Sequence, residues 1–550
     1  MSRSLRIYPA PAAETRLISR GRVLPNAIVS GAALSAVGVL ALAAALRLPA
    51  LADVGFSSDE AVYAGQGAAL VGLEPYPELF SLFRAHPLLL QGIVGIIFQA
   101  VGVSDLAARL VVALLFGMGT VVATYLLGRE LYGRQVGGLA ALIVAVLPYH
   151  ALLSRQVMVD TGMAFFTTLA LWALAFAVRT SSGWWLALAA ATAGAAALTK
   201  EIAVLMVPAV LAYLATTGHW RVFGLRSYVL ATFAYVLTVA PFVVSRLLGP
   251  QSNASDVVLW QISRPPNHDP DYFLRVSLQF IGPALLALGA VGAARALARR
   301  TPPDLLLLAP MATLLAFFQV WPTKLFPYLM PLVPLLAIAA SVGSLWLIRV
   351  SRQAPLGRRL HPGPIVLAGI LLLSAGTAWG TVRASPERPD GFAALDVELQ
   401  DFAGAREAAV WALTHTPANA HFLTIGPSLG NILRFYGHRD SVALSVSPDP
   451  RRRNPAYVPV PNPDLALRDS AIHYLVWDAY SADRSAFYNT RLLRYARKYA
   501  GQIVFSAYIG PTGEMISSAG PAPSGADVRV VIYSTAGGNP QPTPQNPEDS

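Results

Sequence analysis

Long apolar runs separated by short polar turns fill the first two thirds of the chain, and after about residue 384 a finer alternation replaces them. The runs lie near 27 to 48, 104 to 128, 136 to 153, 160 to 178, 184 to 199, 202 to 217, 227 to 248, 273 to 294, 303 to 320, 325 to 348 and 363 to 383. A helix of roughly 20 apolar residues crosses a hydrocarbon core about 30 Å thick, so these runs predict eleven spans. A further run, His86 to Val101, is marginal in length, and arginine decides its place. If it lies on the surface, the turns holding Arg129 with Arg134, Arg179, Arg221 with Arg226, Arg295 with Arg299 and Arg300, and Arg349 through Arg359 share a side with Arg3, Arg6, Arg16, Arg20 and Arg22. If it crosses, they all change sides. The positive-inside rule selects the first arrangement: a cytoplasmic N-terminus, two external juxtamembrane helices at about 58 to 72 and 86 to 101, and an external C-terminus.

Beyond 384, short β-branched or aromatic segments at 420 to 425, 473 to 477 and 528 to 533 alternate with helical stretches near 396 to 414 and 485 to 500. This pattern predicts an extracytoplasmic α/β domain over 384 to 538. The chain then divides into a basic tail (1 to 26), a polytopic α-helical membrane domain (27 to 383), that domain, and a tail at 539 to 550 whose Pro, Asn and Gln predict disorder. Ile425 to Asn431 looks like a phosphate loop but lacks the G-x-G-x-x-G spacing, which favours a plain strand-to-helix turn. The first 25 residues do not read as a cleaved signal, because the first apolar run is long and no A-x-A site follows.

Composition agrees with the pattern. Hydrophobic residues make up 55% and charged ones 13%, against roughly 25% charged in soluble domains, so the chain is an integral membrane protein. With no cysteine it has no disulfide, thiolate nucleophile or Cys-bound metal; a metal would need His or carboxylates, and none is expected. The net charge of +11 would suggest nucleic acid in a soluble chain, but here the arginines end apolar runs and topology accounts for them. The preference for alanine, and for arginine over lysine, points to a GC-rich bacterial genome and so to the plasma membrane.

This topology gathers a set of polar residues on the outer face. Asp59 and Glu60 open the first surface helix with Tyr63, and His86 opens the second. Arg109 begins the second span, Arg155 and Asp160 flank the exit of the third, and Lys200 with Glu201 follows the fifth. His268 lies in the loop from 249 to 272, and Lys324 and Tyr328 open the tenth span. Two of only three lysines are in this set, against the positive-inside trend. Cations at a membrane surface imply an anionic partner, and ammonium groups suit phosphate. Structural explanations compete with these roles. Ser57-x-x-Glu60 fits a capping box, Arg109 and Arg155 could snorkel, Lys200 could pair with Glu201, His86 could merely start a helix, and His268 sits in a polar loop. Asp59 and Asp160 are harder to dismiss. Asp160 heads a span with no cation four residues on.

The order of landmarks resembles the GT-C glycosyltransferases, most closely the protein O-mannosyltransferase and aminoarabinose transferase group. It runs from Asp59-Glu60 through His86-Pro87-Leu88, Arg109-Leu110 and Tyr125 to Gly133 (YLLGRELYG), then Leu147-Pro148-Tyr149, Ser154 to Asp160 (SRQVMVD) and Leu198-Thr199-Lys200-Glu201. The resemblance covers about 27 to 340. It implies a GT-C-like fold and transfer of a sugar from a polyprenyl-phosphate donor to a hydroxyl acceptor on protein, lipid or glycan, at the outer face and without a cofactor. By motif, Asp59, Glu60 and Asp160 would be the acids. Arg109, His86 and Lys200 would be substrate-binding, with Arg155, His268, Lys324, Tyr63 and Tyr328 as further substrate-binding candidates. The usual second proline after His86-Pro87 is Leu88 here.

Such chemistry needs one base, because a phosphate leaving group calls for charge stabilisation rather than a proton. Asp59 would be that base in an inverting attack. A transporter or flippase of a lipid-linked or anionic substrate is the main alternative, although the charges cluster at span ends and no repeat is visible. A bare anchor for the C-terminal domain is a third reading.

Overall fold

The computed structural model describes residues 25–82, 87–248, 254–353, 362–383 and 402–535. Residues 1–24 of the predicted basic tail, the predicted tail at 539 to 550, His86 and the 396–401 part of a predicted helix lie outside these residues. Helices stand at each of the eleven expected span positions. Six are long and apolar enough to cross a membrane, and a bent pair makes a seventh. The remaining four positions hold shorter apolar stretches. The chain is a multi-pass membrane protein.

Two runs expected to be continuous are broken. The run over 273 to 294 is two helices, Tyr272–Phe280 and Pro283–Arg299, bent by 110°. Gly282 at the break has φ +90°, a conformation open to glycine, and Pro283 cannot continue the preceding hydrogen-bond ladder. The run over 136 to 153 breaks at Leu147-Pro148. Proline removes the amide that would have reached Val144, and a fully buried arginine takes over. Arg47 donates to the carbonyls of Val144 (3.0 Å) and Ala145 (2.8 Å).

Both surface helices are present. Ser58–Leu70, here the acid helix, and Leu89–Val101 have 13 residues each, rising only about 20 Å. They cross with backbones in contact: a Cβ on Gly95 would lie 2.3 Å from the Gly67 carbonyl oxygen. Gln91 Nε2 donates to Gln66 Oε1 (3.2 Å) beside the crossing.

Residues 402–535 form an α/β unit on a six-stranded sheet: β1 Phe422–Thr424, β2 Ser441–Ala443, β3 Tyr474–Asp478, β4 Gln502–Ile509, β5 Met515–Ser518 and β6 Asp527–Ser534. Their order is β2-β1-β3-β6-β4-β5. β1 runs parallel to β2 and β3, and β6 is antiparallel to both β3 and β4. Gly426 is the strand-to-helix turn expected there, leading from β1 into the helix Pro427–Gly437. This helix and Ala405–His415 share one apolar core with the acid helix. Phe56, Ala61, Leu90, Phe116 and Val157 are contiguous in that core with Ala409, Phe422, Leu429, Phe435 and Ile532. The α/β unit therefore sits on the same side of the spans as Asp59, built onto the first loop.

Candidate active site

Helix ends place the site's charges. Ser57 caps the acid helix: its hydroxyl accepts from the Glu60 amide, and the Ser57 amide donates to Glu60 Oε2 (3.0 Å), forming the expected capping box. Asp59 and Glu60 therefore stand in the first turn, where the helix dipole favours anions, but face different surroundings. Glu60 is buried and Asp59 exposed.

Glu60 is fully engaged. Arg109 grips it through Nε to Oε1 and Nη2 to Oε2, both 2.8 Å, and the Val157 amide donates to Oε1 (3.0 Å). The same guanidinium donates to the carbonyls of Leu51 (2.7 Å), Val54 (2.6 Å) and Gly55 (3.0 Å). Burial pushes the Glu60 carboxyl up, but the Arg109 charge and these hydrogen bonds outweigh it and hold the group below its ordinary range. Arg155 is similarly occupied, donating to the carbonyls of Arg47 (2.9 Å) and Ala50 (3.3 Å). Glu60, Arg109 and Arg155 thus fasten the first loop to the spans.

A second group forms where the helix after Val157 begins. Asp160 heads the helix Val159–Thr180, and Lys200 follows the antiparallel helix Gly183–Thr199. The N-terminus of one and the C-terminus of the other meet, and the dipoles there favour an acid and a cation respectively. Gly162 lets them approach, since a Cβ there would lie 2.7 Å from Thr199 Cγ2. Lys200 Nζ donates to Asp160 Oδ1 at 2.6 Å and lies 4.4 Å from the Tyr328 ring centroid. Asp160 thus finds across the helix pair the cation it lacks on its own helix; Lys200 does not need Glu201 as its partner.

Tyr63 links Asp59 to this second group. It follows Asp59 by four residues, on the same helix face. Burial, followed by the charges of Asp59, Asp160 and Glu201 and by Tyr328, pushes its hydroxyl well above the ordinary range. The phenol stays neutral and able to donate. Asp59, Tyr63, Asp160, Lys200, Glu201 and Tyr328 are therefore one electrostatic unit. Arg264 belongs beside it, since its charge reaches Tyr328. Sequence reasoning missed this arginine, although on the expected topology it runs against the positive-inside trend just as the two lysines do.

Lys324 and His268 form a flank. Asn267 Oδ1 accepts from the Lys324 amide (2.7 Å), Asn267 Nδ2 donates to the Lys324 carbonyl (3.1 Å), and Lys324 Nζ donates to the Trp321 carbonyl (3.3 Å). His268 stacks on Tyr272 with centroids 4.0 Å apart. No group of three or more His, Asp or Glu able to hold a metal exists among the described residues.

A bundle of membrane helices joined to an α/β unit in this way has counterparts among solved structures. ArnT from Cupriavidus metallidurans in its apo state matches with a TM-score of 0.64 at 16% identity, over 94% of this chain and 99% of that one. The chain has the GT-C glycosyltransferase fold. ArnT from the same organism bound to undecaprenyl phosphate gives a TM-score of 0.63 at 17% identity, covering 94% of this chain and all of that one. The oligosaccharyltransferase AglB from Archaeoglobus fulgidus, in complex with an inhibitory peptide and a dolichol-phosphate, gives 0.57 at 14% identity, covering 91% and 76%. Residues 85–245 match the family model for dolichyl-phosphate-mannose-protein mannosyltransferase. No curated protein matches the chain significantly by sequence. Coverage of 94% takes the GT-C likeness well past residue 340, where the sequence resemblance stopped, and into the α/β unit.

Proposed function

We propose that this protein transfers a sugar from a polyprenyl-phosphate donor to a hydroxyl acceptor, with inversion, at the outer face that carries the acid helix and the α/β unit. The observation that carries this reading is the buried Asp160–Lys200 pair, 2.6 Å apart where two helix ends meet, with the exposed Asp59 in the first turn of the acid helix. The fold supports it, because a protein of this fold binds undecaprenyl phosphate.

The donor phosphate lies against Lys200, Arg264 and Lys324, with His86 as a further candidate contact. Their charges take up the negative charge that grows as the bond from the anomeric carbon to the phosphate oxygen breaks. The bonding pair leaves on the polyprenyl phosphate, so no general acid is needed. The acceptor oxygen attacks the opposite face of the anomeric carbon, and its proton passes to Asp59. Asp160 holds the Lys200 ammonium in place, and neutral Tyr63 orients the acceptor or Asp59. Glu60, Arg109 and Arg155 serve by fixing the loop.

In a deletion strain carrying Asp59→Asn at wild-type abundance, the envelope glycan product measured by mass spectrometry falls about 100-fold or more. Wild-type product from that variant would remove Asp59 as the base.

A further inference from the structure

The acid helix is held at its N-terminus from outside the membrane domain. Phe56, the residue before the cap, donates its amide to the Tyr436 hydroxyl at 2.8 Å, and that hydroxyl donates to Asp105 Oδ2 at 2.7 Å. Ser58, the residue before Asp59, receives a hydrogen bond at Oγ from Asn431 Nδ2 (3.0 Å), which also donates to the Tyr457 hydroxyl (2.9 Å). Asn431 is 1% exposed, so its amide has little freedom to move. The following segment is held as well: Tyr76 donates to the Phe435 carbonyl (3.3 Å) and His438 Nε2 lies 3.2 Å from the Tyr76 hydroxyl. Arg406 donates to the Ala52 carbonyl (3.2 Å), and its Cβ lies so close to Gly55 that a side chain there would meet it at 2.9 Å.

We infer that Asn431 and Tyr436 are positioning residues for catalysis: the α/β unit sets the place of the Asp59 carboxylate through Ser58 and Phe56, and the site is incomplete without it. Glu60 and Arg109 hold the first turn of the helix from the membrane domain, and the contacts at Phe56 and Ser58 hold it from the α/β unit. A displacement of about 1 Å at a reacting group costs up to about 100-fold in rate, so two hydrogen bonds at the head of a short helix suffice for a large effect. The inference rests on Asp59 as the base, but its test separates the two.

The test uses full-length Asn431→Ala, Ser58→Ala and the double variant, each expressed in the deletion strain and purified into nanodiscs. Each single variant lowers the envelope glycan product about 10- to 100-fold. The double variant is no worse than Asn431→Ala alone, because that substitution already removes the contact to Ser58. Hydrogen exchange quickens in the peptide spanning 56–63 while the exchange of the spans and the thermal midpoint stay as in wild type. Tyr436→Phe acts in the same direction and also lowers the midpoint, since Asp105 loses a donor. Wild-type product from Asn431→Ala, multiplied losses in the double variant, or unchanged exchange at 56–63 would each overturn the inference. An active Asp59→Asn beside an inactive Asn431→Ala would instead remove the base and keep the docking role.

Discussion

Two buried acid–cation pairs in this protein are built differently. Glu60 and Arg109 are saturated: the carboxylate also accepts from Ser57 and Val157, and the guanidinium also meets three carbonyls. Asp160 and Lys200 share a single hydrogen bond, and the ammonium otherwise faces the Tyr328 ring. A saturated pair has nothing left to offer a substrate. A pair with spare donor and acceptor capacity at a helix end has capacity for an incoming anion, so the number of partners separates architecture from chemistry better than burial does.

Removing both charges of each pair probes this contrast, because it leaves no orphaned ion. The largest stability effect is expected from Glu60→Gln with Arg109→Met. The carbonyls of Leu51, Val54 and Gly55 and the Val157 amide lose charged partners, at about 1–3 kcal/mol for each group left unsatisfied, so the protein accumulates poorly on immunoblots. Arg109→Lys does not rescue it, since an ammonium lacks the planar fork. Asp160→Asn with Lys200→Met should instead fold with a thermal midpoint close to wild type yet lose product formation about 100-fold or more. If this double variant proved as unstable as the first, the two pairs would be alike and the contrast wrong.

A third buried acid extends the series to one whose second oxygen has no partner. Asp478 ends β3 and accepts from the Ser481 amide (2.7 Å) at Oδ1, but Oδ2 has no hydrogen bond among the described residues. Burial pushes its carboxyl up from 3.8 to about 6. A carboxyl raised on folding stabilises the fold while protonated; that contribution is complete below pH 3.8 and is lost as pH rises through about 6. Asp478→Asn keeps the acceptor without the charge. It should unfold at a higher temperature than wild type at pH 8, by at most about 3 kcal/mol, with the difference vanishing near pH 4.

Much of this arrangement was legible in the sequence, because helix positions follow from apolar length, and the capping box and the turn at Gly426 follow from local spacing. The breaks at Leu147-Pro148 and Gly282-Pro283 carried a signal in their prolines, but continuous hydropathy masked it. The pairings were not legible: Arg109 is 49 residues from Glu60 and Lys200 is 40 from Asp160. Each acid looked locally alone because its partner comes from another helix. Arg264 escaped notice because the scarcity of lysine drew attention to the other cations. The docking of Asn431 and Tyr436 is purely tertiary, between helices whose local patterns say nothing of each other.

The contact between Phe56 and Tyr436 joins residues 380 positions apart. A ribosome delivers the acid helix ahead of the spans that follow it and its Tyr436 fastening only after them. Under the positioning role inferred for Tyr436, sugar transfer then begins only once the α/β unit is made, and a chain stalled before it stays inert although it already carries Asp59, Asp160 and Lys200.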